Sequence, residues 1–114
     1  MKIRDPAANQ LQQALEYMRS EIGTYTALTR RDPGSFEVHE DLATAVKDCW
    51  LVIEAVPEKL GLKISTFADL ETLAPGDCIL ASNSSSFKTS ELVTKVSDET
   101  KRRVLNTHYM VRTS

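Results

Sequence analysis

Apolar runs in this sequence end, at successive points, in side chains that can hold or act on a ligand. Ile79-Leu80-Ala81 runs into Ser82-Asn83-Ser84-Ser85-Ser86, Leu51-Val52-Ile53 into Glu54-Ala55-Val56-Pro57-Glu58, and Val104-Leu105 toward Asn106-Thr107-His108. An apolar run closed by hydroxyls, an amide or carboxylates describes a buried parallel strand whose carboxyl end opens on something polar. Open α/β sheets place their ligands there. The chemistry on offer is hydrogen bonding to a polar ligand by serines and acids. Plainer readings exist: the serines cap the next helix, and Glu58 is an acid in a helix's first turn, favoured by the helix dipole. His39, on the polar side of Phe36-Glu37-Val38-His39 with no partner nearby in sequence, reads as a surface histidine.

The elements that must position these groups can be followed in order. Lys2-Ile3-Arg4 reads as the tail of a strand. Asp5-Pro6 then opens a helix as N-cap and first helical residue, with Ala7, Leu11, Ala14, Leu15, Met18 and Ile22 as its apolar stripe. Arg30-Arg31-Asp32-Pro33-Gly34 is a turn in which Pro and Gly supply the backbone angles. An alternating strand at Phe36–His39 precedes a short helix with Leu42, Ala45 and Val46 inward. Leu51-Val52-Ile53 has the β-branched continuity of a strand buried on both faces. Leu60, Ile64, Phe67 and Leu70 make a second amphipathic helix, closed by the Ala74-Pro75-Gly76-Asp77 turn. After the Cys78–Ala81 strand, Thr89-Ser90-Glu91 reads as a cap and acidic first turn of a helix with Leu92, Val93 and Val96 inward. The last strand is expected over Val104–Tyr109, with His108 near its carboxyl end. Strand and helix alternate throughout, so the fold class is α/β, a mostly parallel sheet with right-handed crossovers.

With 114 residues the chain fits one domain, 1–114. A formal charge of −2 gives no field that would gather nucleic acid or an anionic membrane surface. Lys101-Arg102-Arg103 reads as a solvated approach to a strand. No apolar run approaches the ~20 residues of a membrane span. Cys49 and Cys78 stand in no metal-ligand spacing, and each flanks a strand as a small buried residue would. No metal site is expected, and a reducing compartment fits. No stretch reads as a targeting signal, and Arg112-Thr113-Ser114 is not the peroxisomal Ser-Lys-Leu, so the expectation is cytoplasmic.

Taken in order, Leu51–Glu58, Ile79–Ser86 and Asn106-Thr107-His108-Tyr109 resemble the NAD-binding domain of the L-3-hydroxyacyl-CoA dehydrogenase family, and the resemblance runs from about Ile3 to Tyr109. It implies a Rossmann-type domain with NAD across the carboxyl ends of the strands. A separate helical domain would complete the site for an acyl-CoA substrate. In the family a histidine takes the hydroxyl proton while hydride leaves for the nicotinamide, and His108 matches it. Histidine's unperturbed pKa of ~6.5 suits that base. The serine that holds the substrate hydroxyl and the nicotinamide region corresponds to Ser85, and Ser84 replaces the usual threonine. Glu58 and Lys63 match positions that contact the cofactor, and Ala55 lies against it. Asp5 matches the acid on the adenosine ribose.

The sequence also departs from the pattern. Its four glycines form no GxGxxG, and its first residues correspond to the family's second strand, so the expectation is a partial Rossmann-type sheet without its first strand. Val111 stands at the position of an asparagine, and the family's acidic partner for the histidine does not follow. The resemblance therefore leaves three readings open. One is NAD-dependent oxidation of an L-3-hydroxyacyl-CoA to the 3-oxoacyl-CoA. The second is an inactive truncated homologue serving as a binding or regulatory piece, completed by an oligomer or a missing-domain partner. The third is a relative acting on free hydroxy acids or carnitine. A central strand with about five buried apolar side chains contributes on the order of 8–15 kcal/mol, as much as the ~5–15 kcal/mol by which whole domains are stable. Calorimetry of the purified chain should accordingly show a melting midpoint below ~60 °C, and a cooperative transition above that temperature contradicts the expectation.

Overall fold

A computed structural model describes residues 1–108 as two compact units, Met1–Ala45 and the stretch from Val46 onward. The first unit holds β1 (Lys2–Arg4), α1 (Ala8–Thr29) and β2 (Glu37–His39), with α2 (Leu42–Val46) at its end. β1 and β2 pair in parallel, Ile3 opposite Val38, so β1-α1-β2 is a crossover unit. The apolar stripe of α1 lies where its spacing put it. Leu11 is buried, Ala7, Ala14, Leu15, Met18 and Ile22 are partly covered, and Tyr17, Tyr25 and Leu28 are exposed.

The start and end of α1 differ from expectation. Its N-cap is Ala7, and Asp5 sits two residues earlier, where its Oδ1 accepts from the Ala7 N–H at 2.8 Å. Asp5 therefore orders the approach to the helix rather than capping it. At the other end the left-handed residue is Arg30 (φ 54°, ψ 32°), whose N–H reaches Thr26 O at 2.9 Å. The helix reverses there, four residues before Gly34, and no glycine takes a positive φ. On β2 the period-two geometry puts Glu37 and His39 on one face, and they bond at 3.1 Å. His39 is thus a partly covered histidine with a carboxylate partner.

The second unit is a three-stranded parallel sheet in the order β3 (Leu51–Glu54), β4 (Ile79–Ser82), β5 (Val104–Asn106). α3 (Leu60–Leu73) links the first pair, and two short helices, α4 (Thr89–Leu92) and α5 (Asp98–Lys101), link the second. The helix expected to carry Leu92, Val93 and Val96 inward therefore ends at Leu92, and α5 follows as a separate element beyond it. Lys88, not Thr89, is the α4 N-cap, with its N–H on Glu91 Oε2 at 2.8 Å. Val93 and Val96 are buried outside the helices. Ser97 caps α5 by accepting from Thr100 N–H at 3.3 Å, and its own N–H and hydroxyl bond Glu71 of α3 at 2.8 and 2.9 Å.

β4 is the buried strand, with Leu80, Ala81 and Ser82 at 0–1% exposure. β3 is not covered on both faces: it pairs with β4 alone among the described strands, and Ile53 is 44% exposed. β1 pairs with β2 in one sheet, and β3 pairs with β4 in the other. β5 stops at Asn106, three residues short of its expected end, and the predicted strand residue Tyr109 and the Val111 position lie outside the described residues. The core of this unit gathers Leu80 with Phe67 and Leu70 of α3 and Leu92 of α4, all buried to within 1%. Arg103 is tied inward, donating to Cys78 O at 2.6 Å and Pro75 O at 3.2 Å, so only Lys101 and Arg102 of the basic run are solvated.

A left-handed conformation costs a residue with a Cβ about 1–2 kcal/mol, and glycine is the usual occupant of a helix terminus of this kind. Arg30→Gly should raise stability by about 1 kcal/mol, read as a higher urea midpoint at unchanged m-value.

Candidate functional site

The last rung of the three-stranded sheet is polar on every strand. Glu54 pairs in register with Ser82 and Ser82 with Asn106, while the rung before it is Ile53, Ala81 and Leu105. The strands are parallel, so all three polar residues stand at the carboxyl end. Two of them, Glu54 and Ser82, are buried at 3% and 0% exposure. A buried carboxylate is costly unless paired and hydrogen-bonded, and Glu54 is both. Its Oε2 accepts from Lys63 Nζ at 2.8 Å and from the Val56 N–H at 2.9 Å. Its Oε1 accepts from the Ser82 hydroxyl at 2.8 Å.

The α3 stripe holds at Phe67 and Leu70, with Ile64 partly covered, but in the first turn the buried residue is Lys63, which is how it reaches Glu54. Lys63, Phe67, Leu70 and then Ala74 are the buried positions, whereas Leu60 is 37% exposed. The ammonium completes its bonding to Val56 O at 3.0 Å and Glu58 Oε1 at 2.9 Å. Burial pushes its pKa down, but the hydrogen bonds and charges of Glu54 and Glu58 outweigh this and hold it above the ordinary 10.5. Glu58 precedes the α3 N-cap Lys59 and lies outside the helix's first turn, so the dipole does not account for it. Lys63 and then Ser84 hold its carboxyl below the ordinary 4.5 by hydrogen bonds. The Ser84 hydroxyl donates to Glu58 Oε2 at 2.8 Å and accepts from the Phe87 N–H at 3.1 Å.

These bonds shape the two loops that leave the sheet. Glu54 O takes the Asn83 N–H at 2.9 Å, and Ser82 Oγ takes the Ser84 N–H at 3.1 Å. From β5, the Asn106 amide donates to Ser84 O at 3.1 Å and the Thr107 N–H to Ser82 O at 2.8 Å. The serine segment is thus held by the β3–α3 loop on one side and by the end of β5 on the other.

Of the residues singled out in the sequence, the structure brings Glu58 and Lys63 into direct contact. Ser85 is exposed next to buried Ser84, Ala55 is exposed next to Glu54, and His108 is exposed one residue beyond Thr107. Asp5 is in the other unit, at the end of β1. Sequence reasoning placed Glu54, Ser82, Ser84 and Asn106 at polar strand ends but gave none of them a role of its own in the site. The signal for Glu54 was its place as the last residue of an otherwise apolar run, followed nine positions later by a lysine on a helix. Cys78 is a fully buried thiol whose pKa is raised, chiefly by burial, so it is not a reactive group. Among the described residues no group of His, Cys, Asp and Glu is arranged to hold a metal ion, and no helix is long and apolar enough to cross a membrane.

Parallel strands joined through helices, with exposed serine, carboxylate and histidine groups beyond their carboxyl ends, define a protein of the Rossmann type, a binder of dinucleotides. The match to known proteins is specific: the chain belongs to the family described as 3-hydroxyacyl-CoA dehydrogenase, NAD binding domain, which it matches over residues 1–112. It is similar to the peroxisomal fatty acid beta-oxidation multifunctional protein of Oryza sativa subsp. japonica, 41% identical over 63 residues, 55% of this chain and 8% of that protein. It is equally similar to an L-carnitine dehydrogenase/betainyl-CoA thioesterase of Agrobacterium fabrum, 42% identical over 60 residues, 53% of this chain and 12% of that one. Among solved structures, a diketoreductase superposes over 96% of this chain and 41% of its own with a TM-score of 0.79 at 34% identity. The chain therefore spans a minor part of each of these relatives.

The pKa shifts set a pH window for stability. Glu58, Glu71 and Asp41 are held below their ordinary values in the folded chain. A depressed carboxyl contributes stability above its unfolded pKa and loses it as pH falls through the folded value. The raised Lys63 contributes below its unfolded pKa of 10.5 and loses that as pH rises through the folded value. Urea titrations across pH should show a plateau between these limits with losses beginning below about pH 4.5 and above about pH 10.5; a midpoint unchanged between pH 5 and pH 3 contradicts this.

Proposed function

We propose that this chain, 1–114, is a partial NAD-binding domain that supplies the nicotinamide side of a dehydrogenase site, with oxidation of an L-3-hydroxyacyl-CoA to the 3-oxoacyl-CoA as its reaction. The observation that supports this best is the tethering of the serine segment. Glu58 holds it from one side, and Asn106 and Thr107 hold it from the other. The segments carrying Ser85 and His108 therefore leave from neighbouring strand ends that are bonded to each other.

On this reading His108 is the general base. It would take the proton of the substrate's C3 hydroxyl and become a protonated imidazole, while a bound NAD would supply the acceptor for the two-electron oxidation that turns the hydroxyacyl thioester into the 3-oxo thioester. Ser85 holds the hydroxyl and the nicotinamide region. Its position suits this, because a hydroxyl that is exposed beside a buried and fully bonded neighbour has a fixed backbone and a free face. Glu58 and Lys63, bonded to each other at 2.9 Å, contact the cofactor, and Ala55, on the exposed turn between Glu54 and Glu58, lies against it. Asp5, at the end of β1, takes the adenosine ribose. NAD supplies the hydride acceptor when bound, and the chain's own residues bind, orient and move the proton.

A second reading has carnitine or another free hydroxy acid as substrate, since the carnitine dehydrogenase relative is as similar as the beta-oxidation protein. Both readings share the base and the cofactor. Plant relatives whose names place them in peroxisomes or glyoxysomes favour an organellar setting as much as a cytoplasmic one.

Titrating NADH into the protein while following nicotinamide fluorescence should give saturable binding below millimolar cofactor, weakened by Ser85→Ala. His108→Gln should bind NADH as the parent does and lose about 10²–10⁴-fold in any turnover of 3-hydroxyacyl-CoA. No saturable binding at millimolar NADH sinks the dehydrogenase reading.

A further inference from the structure

We propose that Asn106 is a positioning residue for the reaction, setting the direction in which Ser85 leaves the backbone from the strand that leads to His108; the cofactor is taken from the dehydrogenase reading, while the placement of Ser85 stands on geometry alone. The case begins with the ties on residues 83–86. Toward β3 and its loop they are held by the Asn83 N–H on Glu54 O at 2.9 Å and the Ser84 hydroxyl on Glu58 Oε2 at 2.8 Å. Toward β5 one bond reaches them among the described residues, from Asn106 Nδ2 to Ser84 O at 3.1 Å. The Thr107 N–H and hydroxyl, at 2.8 and 3.3 Å, both end on Ser82 O, which belongs to β4.

The oxygen that Asn106 holds is the carbonyl of the peptide joining Ser84 to Ser85. That unit is planar and trans, so the Ser85 N–H points away on the side opposite the oxygen. The bonds at the Ser84 N–H and hydroxyl place residue 84 itself. The Asn106 bond adds the rotation of the peptide that follows, and with it the plane from which the exposed Ser85 side chain departs. The donor is itself placed by the sheet, since Asn106 pairs in register with Ser82, and it stands two residues before His108. One side chain thus joins the Ser85 peptide to the segment that carries the histidine. The residue type matters. A carboxamide offers an N–H to a carbonyl, whereas the carboxylate of the same shape offers only acceptors.

The test follows the Ser85 amide resonance by ¹⁵N NMR and NADH binding by fluorescence, both in the full chain. Asn106 is exposed, so its replacement leaves the core intact. Asn106→Asp keeps the side-chain size and turns the donor into an acceptor facing Ser84 O. The Ser85 resonance should shift, and NADH affinity should fall about tenfold, the scale of one hydrogen bond lost with its acceptor left unpaired. Asn106→Ala should act in the same direction. Combined with Ser85→Ala it should cost little more than Ser85→Ala alone, because both changes act through one hydroxyl. Val104→Ala weakens β5 at its other end, opposite Leu80, and should lower the urea midpoint while NADH affinity stays that of the parent. Additive losses in the Ser85/Asn106 double variant, or lost affinity with the Ser85 resonance unmoved, show that Asn106 acts on the cofactor by another route and overturn the proposal. A shifted resonance with unchanged affinity overturns it too, as does a loss of affinity in Val104→Ala equal to that in Asn106→Asp. If the parent chain binds no NADH, the dehydrogenase reading fails by itself, and the Ser85 resonance in Asn106→Asp still decides whether Asn106 holds this peptide.

Discussion

A lysine ammonium buried between two carboxylates is the constraint on which the second unit depends. Taking Lys63 and Glu54 out of water costs several kcal/mol per ion, and their attraction offsets this only where the geometry is good and the remaining lone pairs and protons are satisfied. Here they are: each Lys63 proton has an acceptor, and both Glu54 oxygens accept. Such a pair is weak evidence for stability, because two apolar side chains would pack at no desolvation cost. It is stronger evidence for specificity, since breaking one partner leaves a buried charge at about 3–5 kcal/mol. The arrangement of loops that satisfies it is correspondingly hard to exchange for another.

Most of the local architecture can be traced to that requirement. α3 enters with Lys63 inward, which displaces Leu60 to the surface and lets Phe67 and Leu70 follow at helical spacing into the core. The turn before α3 must present the Val56 carbonyl and Glu58 to the ammonium, so Glu58 ends ahead of the helix rather than in it. Glu58 then fixes Ser84, and Ser84 the approach to α4. Cofactor chemistry needs donors and acceptors that do not reorganise on binding, and a loop whose buried members are fully bonded supplies a rigid base for exposed Ser85.

The parallel sheet sets where all this can happen. Residues paired across parallel strands stand at one height, so three polar residues that end three apolar runs form a single polar rung. That rung was readable in outline from Leu51–Glu58, Ile79–Ser86 and Asn106, because continuous apolar runs with polar ends are a local property of the chain. The stripe of α1 was readable for the same reason. Readings that turned on a choice among similar neighbours went astray. The turn at Arg30–Gly34 was ascribed to Pro33 and Gly34 although its left-handed residue is Arg30, the cap that Lys88 makes was ascribed to Thr89, and the cap at Ala7 to Asp5, since backbone reversal responds to where packing ends a helix as well as to residue preference.

The sequence by itself determined the alternation of strands and helices, the polar ends of the strands, and the family, because periodicity and motif order are written in adjacent residues. The tertiary structure alone decided that Lys63 is inside, that Ser84 rather than Ser85 is the bonded serine, that Ile53 is exposed on an edge strand, and that Glu54 joins the segments. A charged side chain carries no mark of its burial in its own neighbourhood of sequence. What makes burial tolerable is a partner nine residues away on another element, and only folding brings the two within 2.8 Å.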